Sequence, residues 1–346
     1  MKLSDLGEFG LIARLRARWP QSPAGVVVGP GDDAAAVQPD QGRLLLFTVD
    51  AMVEDVHFRR RWMPPRDLGW KAMAQSLSDI AAMGGQPTHA LVCLSLPVPS
   101  AVEGPGDLDA GFVDALYDGL DAAAAEYGAS VIGGDIVGST GGVMVSVSLL
   151  GEVEEGLLLR RSGARPGEVL MVTGALGDAA AGLRLLEAGE SPAAGEESAV
   201  TRHLRPAPRV DEARILARSG QVTAAIDLSD GLAGDAAHIA EESGVGVRLH
   251  GERLPVGAAC KQVAARLRLN PLPLALRGGE DYELLVAVRP QAAEGLAELL
   301  HHETGTALTA VGEVVEAARG VVLIAADGIE ATLGGAFDHF GEPSDR

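Results

Sequence analysis

Short continuous apolar runs alternate along this chain with longer stretches whose apolar positions recur at helical spacing. In the first half the runs at residues 26–28, 44–49, 89–96, 130–132 and 143–150 predict strands. Helical spacing predicts a helix over 8–18, where Phe9, Ile12, Leu15 and Trp19 align. A second starts at Pro64-Pro65, runs through Trp70, Met73, Leu77 and Ile80, and stops at Gly84-Gly85 and Pro87; a third covers 107–127. The second half repeats the alternation. Strands are expected at 169–173, 222–226, 245–249, 282–288, 308–315 and 321–324, with helices at 178–188, 209–219, 232–243, 257–267 and 291–303. Residues 189–200, rich in Gly, Glu, Ser and Ala, predict a mobile loop. The acidic turn at 151–156 separates two self-sufficient patterns. The expected organisation is two α/β domains with mixed sheets, 1–150 and 151–346.

Composition narrows what those domains do. At 346 residues, 47% apolar but only 3% aromatic, the cores must be built from Ala, Val and Leu packed among many glycines. A formal charge of −20 argues against nucleic acid or an anionic membrane as partner. Cys93 and Cys260 lack C-x-x-C spacing and read as inert thiols of a reducing compartment. The first nineteen residues carry charges instead of an apolar signal core, and no apolar run reaches membrane-spanning length. A soluble cytoplasmic protein is expected.

The chemistry lies in acidic loops flanked by glycine or hydroxyl residues: Gly31-Asp32-Asp33, Thr48-Val49-Asp50, Ser78-Asp79, Gly133-Gly134-Asp135, Asp227-Leu228-Ser229-Asp230-Gly231 and Gly278-Gly279-Glu280-Asp281. Small neighbours let the backbone turn sharply and let carboxylates face one point. Carboxylates that converge at ~4 Å repel by about 4 kcal/mol at an effective dielectric of 20, so a divalent cation is their natural partner. Hard oxygen ligands without sulfur or imidazole indicate magnesium-type chemistry. Asp50 ends a buried strand, where sites gather in α/β folds. Asp227 to Gly231 joins a strand to a helix, and the helix N–H groups add an anion-binding surface suited to a Mg-phosphate complex. No G-x-x-x-x-G-K-[ST] loop is present. Phosphates must then be held by metals, backbone amides and arginines, of which Arg160-Arg161-Ser162-Gly163-Ala164 is the best candidate. Leu-Ser-Asp at 77–79 returns at 228–230, an echo too short to establish duplication.

Taken together and in this order, these motifs resemble the thiamine-monophosphate kinases of the aminoimidazole ribonucleotide synthetase superfamily. Further elements of the likeness are His57-Phe58, Ile80-Ala81-Ala82-Met83-Gly84-Gly85, Arg161 to Gly167, Tyr282-Glu283-Leu284, Gly7-Glu8-Phe9 and Phe337-Asp338-His339-Phe340. The resemblance spans essentially the whole chain. It implies a two-domain fold that dimerises through its N-terminal half, and ATP-dependent phosphorylation of thiamine monophosphate to thiamine diphosphate. By family position, Asp33, Thr48, Asp50, Asp79, Asp135, Asp227 and Asp230 would hold several Mg²⁺ ions. Gly134, Asp135, Arg161, Ser229 and Tyr117 would contact ATP; His57, Glu280 and Phe337 would contact the acceptor. Asp50, Asp135 and Asp230 would be the catalytic carboxylates. Val49 stands where the pattern often carries a hydroxyl, which leaves its backbone carbonyl as the ligand.

The residues agree with that implication. Transfer between two phosphates joins two anions, and the acceptor oxyanion needs no strong general base. Direct transfer without a phosphoenzyme follows, which suits a chain with carboxylates and no Ser/His/Asp arrangement. The cationic thiazolium and the pyrimidine of the acceptor suit the aromatic Phe337 and the carboxylate Glu280. Other readings are another ATP-using member of the superfamily, a phosphatase using the same metals, and a non-catalytic Mg-nucleotide or thiamine-binding protein. Selenophosphate synthetases need a reactive Cys or selenocysteine near the start, and residues 1–50 contain no Cys.

Overall fold

The computed structural model describes residues 26–28, 32–38, 42–97, 108, 110–325 and 327–333. The helix expected at 8–18 lies outside them. β1 (Val26–Val28), β2 (Ala35–Val37), β3 (Arg43–Val53), β4 (Gln86–Pro97), β5 (Ser130–Ser139) and β6 (Met144–Glu154) form one sheet in the order β1-β2-β3-β6-β4-β5. Its pairs are antiparallel except β4 with β5. Along the long strands side chains alternate: Leu44, Leu46 and Met52, Ala90, Val92 and Leu94, and Val145, Val147 and Leu149 are buried on one face. Full burial of each large aliphatic side chain contributes about 1.5–3 kcal/mol.

Two helices cover that face, α1 (Pro65–Ala82) and α2 (Ala110–Glu126). Pro65 sits in the first turn of α1, where its missing N–H costs nothing. The helices approach backbone to backbone through Gly69 and Gly119; a Cβ at either would lie 1.9 Å from the facing carbonyl, that of Leu116 or Arg66. The C-terminal end of α1 leaves the first core. Ala81 and Ala82 pack instead against Val210, Ala213 and Ala225 of the second half. One helix thereby belongs to both halves, and Ser78 and Asp79 lie where they meet.

The second sheet is built from β7 (Val169–Thr173), β8 (Val222–Asp227), β9 (Gly246–His250), β10 (Leu284–Val288), β11 (Leu308–Val315), β12 (Val321–Ile324) and β13 (Glu330–Thr332), in the order β13-β12-β9-β11-β7-β10-β8. Only its β9–β12 pairing is parallel among the described strands. The helices are α3 (Asp178–Ala188), α4 (Glu197–Leu204), α5 (Val210–Ser219), α6 (Leu232–Ser243), α7 (Ala258–Leu267), α8 (Pro271–Arg277) and α9 (Ala293–Thr304). α6 packs on one face through Leu232, Ala236 and Ile239, and α5 and α9 on the other through Val210, Leu216, Leu296 and Leu300. β10 is therefore buried on both faces, which accounts for its unbroken apolar run.

Residues 189–200 differ from the expected mobile loop. Glu196 is buried and accepts from Arg266 Nε at 3.0 Å and from the Ala193 N–H at 2.9 Å. α4 then begins at Glu197 and buries Ala199. A buried carboxylate anchors a segment that composition alone marks as loose. α8 was hidden by its two prolines, yet both fall in the first turn after Asn270, whose Oδ1 caps the Leu272 N–H at 3.0 Å.

Candidate active site

Thr48 and Asp50 share one side of β3 while Val49, 63% exposed, points to the other. Asp79 comes from the last turns of α1, Asp227 from the end of β8, and Asp33 from the turn before β2. Carboxylate oxygens of Asp33, Asp79 and Asp227 lie within 4.8 Å of one another. Three segments far apart in sequence thus deliver three carboxylates to one point between the domains.

Hydroxyls and one arginine hold them. Ser76 Oγ donates to Asp50 Oδ2 at 2.8 Å and Ser78 Oγ to Asp227 Oδ2 at 2.7 Å. Thr48 Oγ1 donates to Asp79 Oδ2. Arg161 reaches across the cleft: Nε donates to Asp33 Oδ1 at 3.1 Å, Nη2 bonds the same oxygen, and its backbone N–H donates to the Asp32 carboxylate at 3.2 Å. Burial, and then the neighbouring Asp33, push the Asp32 carboxyl up to about 6. Burial also raises Asp50, Asp79, Asp227 and Asp235, and the mutual repulsion of the acidic groups adds to each. Burial disfavours the Arg161 charge, but Asp33, Asp227 and Asp32 outweigh it and hold the guanidinium protonated. A dry, anionic set of hard oxygens with raised proton affinity fits a divalent cation such as magnesium.

Beside this cluster, two of the sequence motifs are one structural piece. Leu228 N–H donates to Glu283 O at 2.8 Å, Glu280 N–H to Ser229 O at 2.7 Å and Tyr282 N–H to Leu228 O at 2.9 Å. Glu280 and Tyr282 adopt positive φ, 59° and 50°. Gly279, at φ 65°, could not carry a Cβ, which would meet Ser229 O at 2.6 Å. The acidic residues of the second motif then diverge. Asp281 Oδ2 accepts the Gly177 N–H at 2.8 Å; Glu283 Oε2 accepts from Thr173 Oγ1 at 2.7 Å and Arg209 Nε at 2.6 Å. Glu280 keeps a partly exposed side chain, 2.6 Å from Lys71 Nζ and 3.2 Å from His203 Nδ1.

The remaining predicted residues are spread around this centre. Asp230 and Ser229 lie in the turn between β8 and α6, and Asp230 neighbours the buried Asp235, which accepts the Gly231 N–H at 3.0 Å. His57 follows β3, its Nδ1 accepting the Val53 N–H at 3.1 Å. Gly134 and Asp135 lie on the edge strand β5, separated from β3 by β6 and β4. Asp135 is exposed and in register with Cys93, in the row of Ser146 and Ala51, so the single chain does not bring it to the cluster. Tyr117 is half-buried on α2 against the first core. Phe337 lies outside the described residues. Sequence reasoning missed Ser76, Lys71, His203 and Asp235. Lys71 gave one signal: it is one of only three lysines in the chain and falls among the apolar residues of a predicted helix.

Residues 31–153 match the family described as AIR synthase related protein, N-terminal domain, and residues 165–325 its C-terminal domain. The chain is 39% identical over 286 residues to the thiamine-monophosphate kinase of Aquifex aeolicus, covering 82% of this chain and 87% of that one. It is 36% identical over 345 residues to the Mycobacterium tuberculosis enzyme of the same name, covering 99% and 95%. Among solved structures, AaThiL complexed with AMPPCP and TMP is similar with a TM-score of 0.84 at 35% identity, covering 98% of this chain and 99% of that one. The hydrogenase maturation protein HypE of E. coli, at 24% identity and a TM-score of 0.68 over 84% and 85% of the chains, shares the fold.

Proposed function

The chain belongs to the AIR synthase related family and, within it, to the thiamine-monophosphate kinases; from that premise we propose that it transfers the terminal phosphoryl group of ATP directly to thiamine monophosphate, with magnesium as its metal. The observation that carries the reading is the meeting of Asp33, Asp79 and Asp227 beside Arg161 between the two domains. Magnesium held there would neutralise the repulsion between donor and acceptor phosphates.

The chain's own groups divide the remaining work. Asp33, Thr48, Asp79 and Asp227 form the metal-facing wall, with Asp50 and Asp230 beside it as further ligands and the Val49 carbonyl as a backbone one. Arg161, whose five donors match phosphate oxygens, turns from Asp33 to the nucleotide, and Ser229 lines the same side. His57, Glu280 and Phe337 orient the acceptor. Gly134, Asp135 and Tyr117 keep a nucleotide-side assignment through the family resemblance. No residue is required to abstract a proton, because the acceptor oxygen is already anionic. Phe47, Val49, Leu91 and Val137 are exposed apolar residues on the sheet side opposite the helices, which supports a homodimer joined through the N-terminal half. The free thiols Cys93 and Cys260 suit the cytoplasm, and no described helix is long and apolar enough to cross a membrane.

The experiment is a product assay with thiamine monophosphate, ATP and Mg²⁺, resolved by chromatography. Equal amounts of thiamine diphosphate and ADP, lost on chelation, are expected. ADP with free phosphate would indicate hydrolysis or another acceptor; no ATP turnover would indicate a binding protein.

A further inference from the structure

Lys71 lies in the middle of α1 with no exposed side-chain surface. A buried ammonium is stable only when paired, and its Nζ lies 2.6 Å from Glu280 Oε1. The other carboxylate oxygen, Oε2, lies 3.2 Å from Nδ1 of His203, whose side chain is 2% exposed. Glu280 is thus flanked at both oxygens, by a lysine from the N-terminal half and a histidine from the C-terminal half, each at ion-pair distance. Burial and the Lys71 charge lower the His203 proton affinity, while Glu280 opposes them. Burial alone would raise the Glu280 carboxyl, but Lys71 and His203 outweigh it and keep it ionised.

This arrangement does more than fill a core. Glu280 sits at φ 59°, a backbone conformation that costs free energy in a non-glycine residue, and its N–H is pinned to Ser229 O. Its acidic neighbours Asp281 and Glu283 are consumed by buried partners, whereas 25% of the Glu280 side chain remains open. The carboxylate is fixed in direction, and the adjacent ammonium cancels its net charge.

We propose that Lys71 and His203 are positioning residues that hold Glu280 as a directed hydrogen-bond acceptor, so that Glu280 selects the acceptor molecule by its N–H donors and not by its positive charge. This rests on the reading of Glu280 as an acceptor contact. Lys71 acts through Glu280, with which it pairs.

The test is steady-state kinetics of Lys71→Met, Glu280→Gln and the double variant K71M/E280Q beside the wild type, with thiamine monophosphate and ATP varied in turn. Losing a hydrogen bond to a charged group should raise the thiamine monophosphate KM roughly ten- to a hundredfold in K71M, with kcat and the ATP KM within about threefold. The double variant should be no worse than E280Q alone, because Lys71 has no other route to the acceptor. Should K71M fail to fold, the double variant, which removes both buried charges, carries the comparison with E280Q. An unmoved thiamine monophosphate KM in K71M, parallel rises in both KM values, or effects that multiply in the double variant would overturn the proposal alone. A wild type that makes no diphosphate would overturn the functional reading, and this one with it.

Discussion

Ser78 and Asp227 are joined across the two halves of the molecule: the serine Oγ donates to Asp227 Oδ2 at 2.7 Å, and both side chains are buried. Through this bond the end of α1 and the end of β8 present Asp79 and Asp227 to the same point. Ser78→Ala removes the donor and leaves the carboxylate free to turn away. The Mg²⁺ concentration for half-maximal turnover should rise about tenfold, as for loss of other outer-shell partners of metal ligands. A Mg²⁺ titration of activity checks this, and an unchanged midpoint would separate Ser78 from the metal.

Asp79→Asn should act on stability and activity with opposite signs. It removes one like charge from a buried cluster, so the metal-free protein should gain on the order of 1 kcal/mol, roughly 2 °C of melting temperature in a chain this large. Mg²⁺-dependent turnover should fall by at least about a hundredfold. Asp50→Asn should likewise abolish turnover without unfolding the chain. Melting curves in a chelator, paired with activity, decide it.

The pH dependence follows from the same carboxyls. Asp79 and Asp227 hold their protons to higher pH in the folded protein than the ordinary value of 3.8. The folded state therefore binds more protons above that value. The stability these groups contribute is full below it and is lost as pH rises through their raised values. Mg²⁺ requires the ionised forms, so its stabilising effect should grow over the same range. Melting temperatures with and without Mg²⁺ at about pH 5.5 and about pH 8 should show the larger metal-induced rise at the higher pH. Equal rises would remove these carboxylates from the site.

How much of this was legible varies with the kind of residue. Asp50 and Asp227 could be singled out because each ends an apolar run, and local periodicity reports strand ends. Their hydroxyl partners were half visible: Ser78 stood in a motif, while Ser76 looked like any small helical residue. The ion pair of Lys71 with Glu280 was not visible, because helical periodicity is blind to partners contributed by another domain. Asp135 shows the converse limit. It shares the Gly-Asp motif of the others, yet strand order sets it on an edge away from them. The anchoring of residues 189–200 depended on Glu196 meeting Arg266, a pairing composition does not encode.

Gly279→Ala should damage the site without touching a ligand. Its Cβ would collide with the Ser229 carbonyl at 2.6 Å, and φ 65° already disfavours a side chain. The cost should be about 1–3 kcal/mol of stability, with loss of acceptor affinity as Glu280 shifts. Chemical denaturation and the thiamine monophosphate KM provide the two readouts; wild-type values in both would show that the piece tolerates separation.

Leu91→Glu tests the association. Leu91, Ser148 and Val49 stand in one row across β4, β6 and β3, and Leu91 is 44% exposed. If the proposed homodimer joins through this row, a buried, unpaired carboxylate there should leave a 35.6 kDa monomer in sedimentation velocity where the wild type sediments as a dimer. A variant that stays dimeric would place the interface elsewhere.

The bonds that assemble the acidic cluster span long stretches of chain, 149 residues from Ser78 to Asp227 and 128 from Asp33 to Arg161. A nascent chain that has completed only its first domain holds Thr48, Asp50 and Asp79 but lacks the residues that close the set. Contacts of such separation form late, after the loop-closure entropy has been overcome. A cation bound by this cluster would consequently find its full set of carboxylates only once both domains are docked. It should slow unfolding while leaving the folding rate nearly unchanged, acting as a latch on a finished molecule and not as a template for making one.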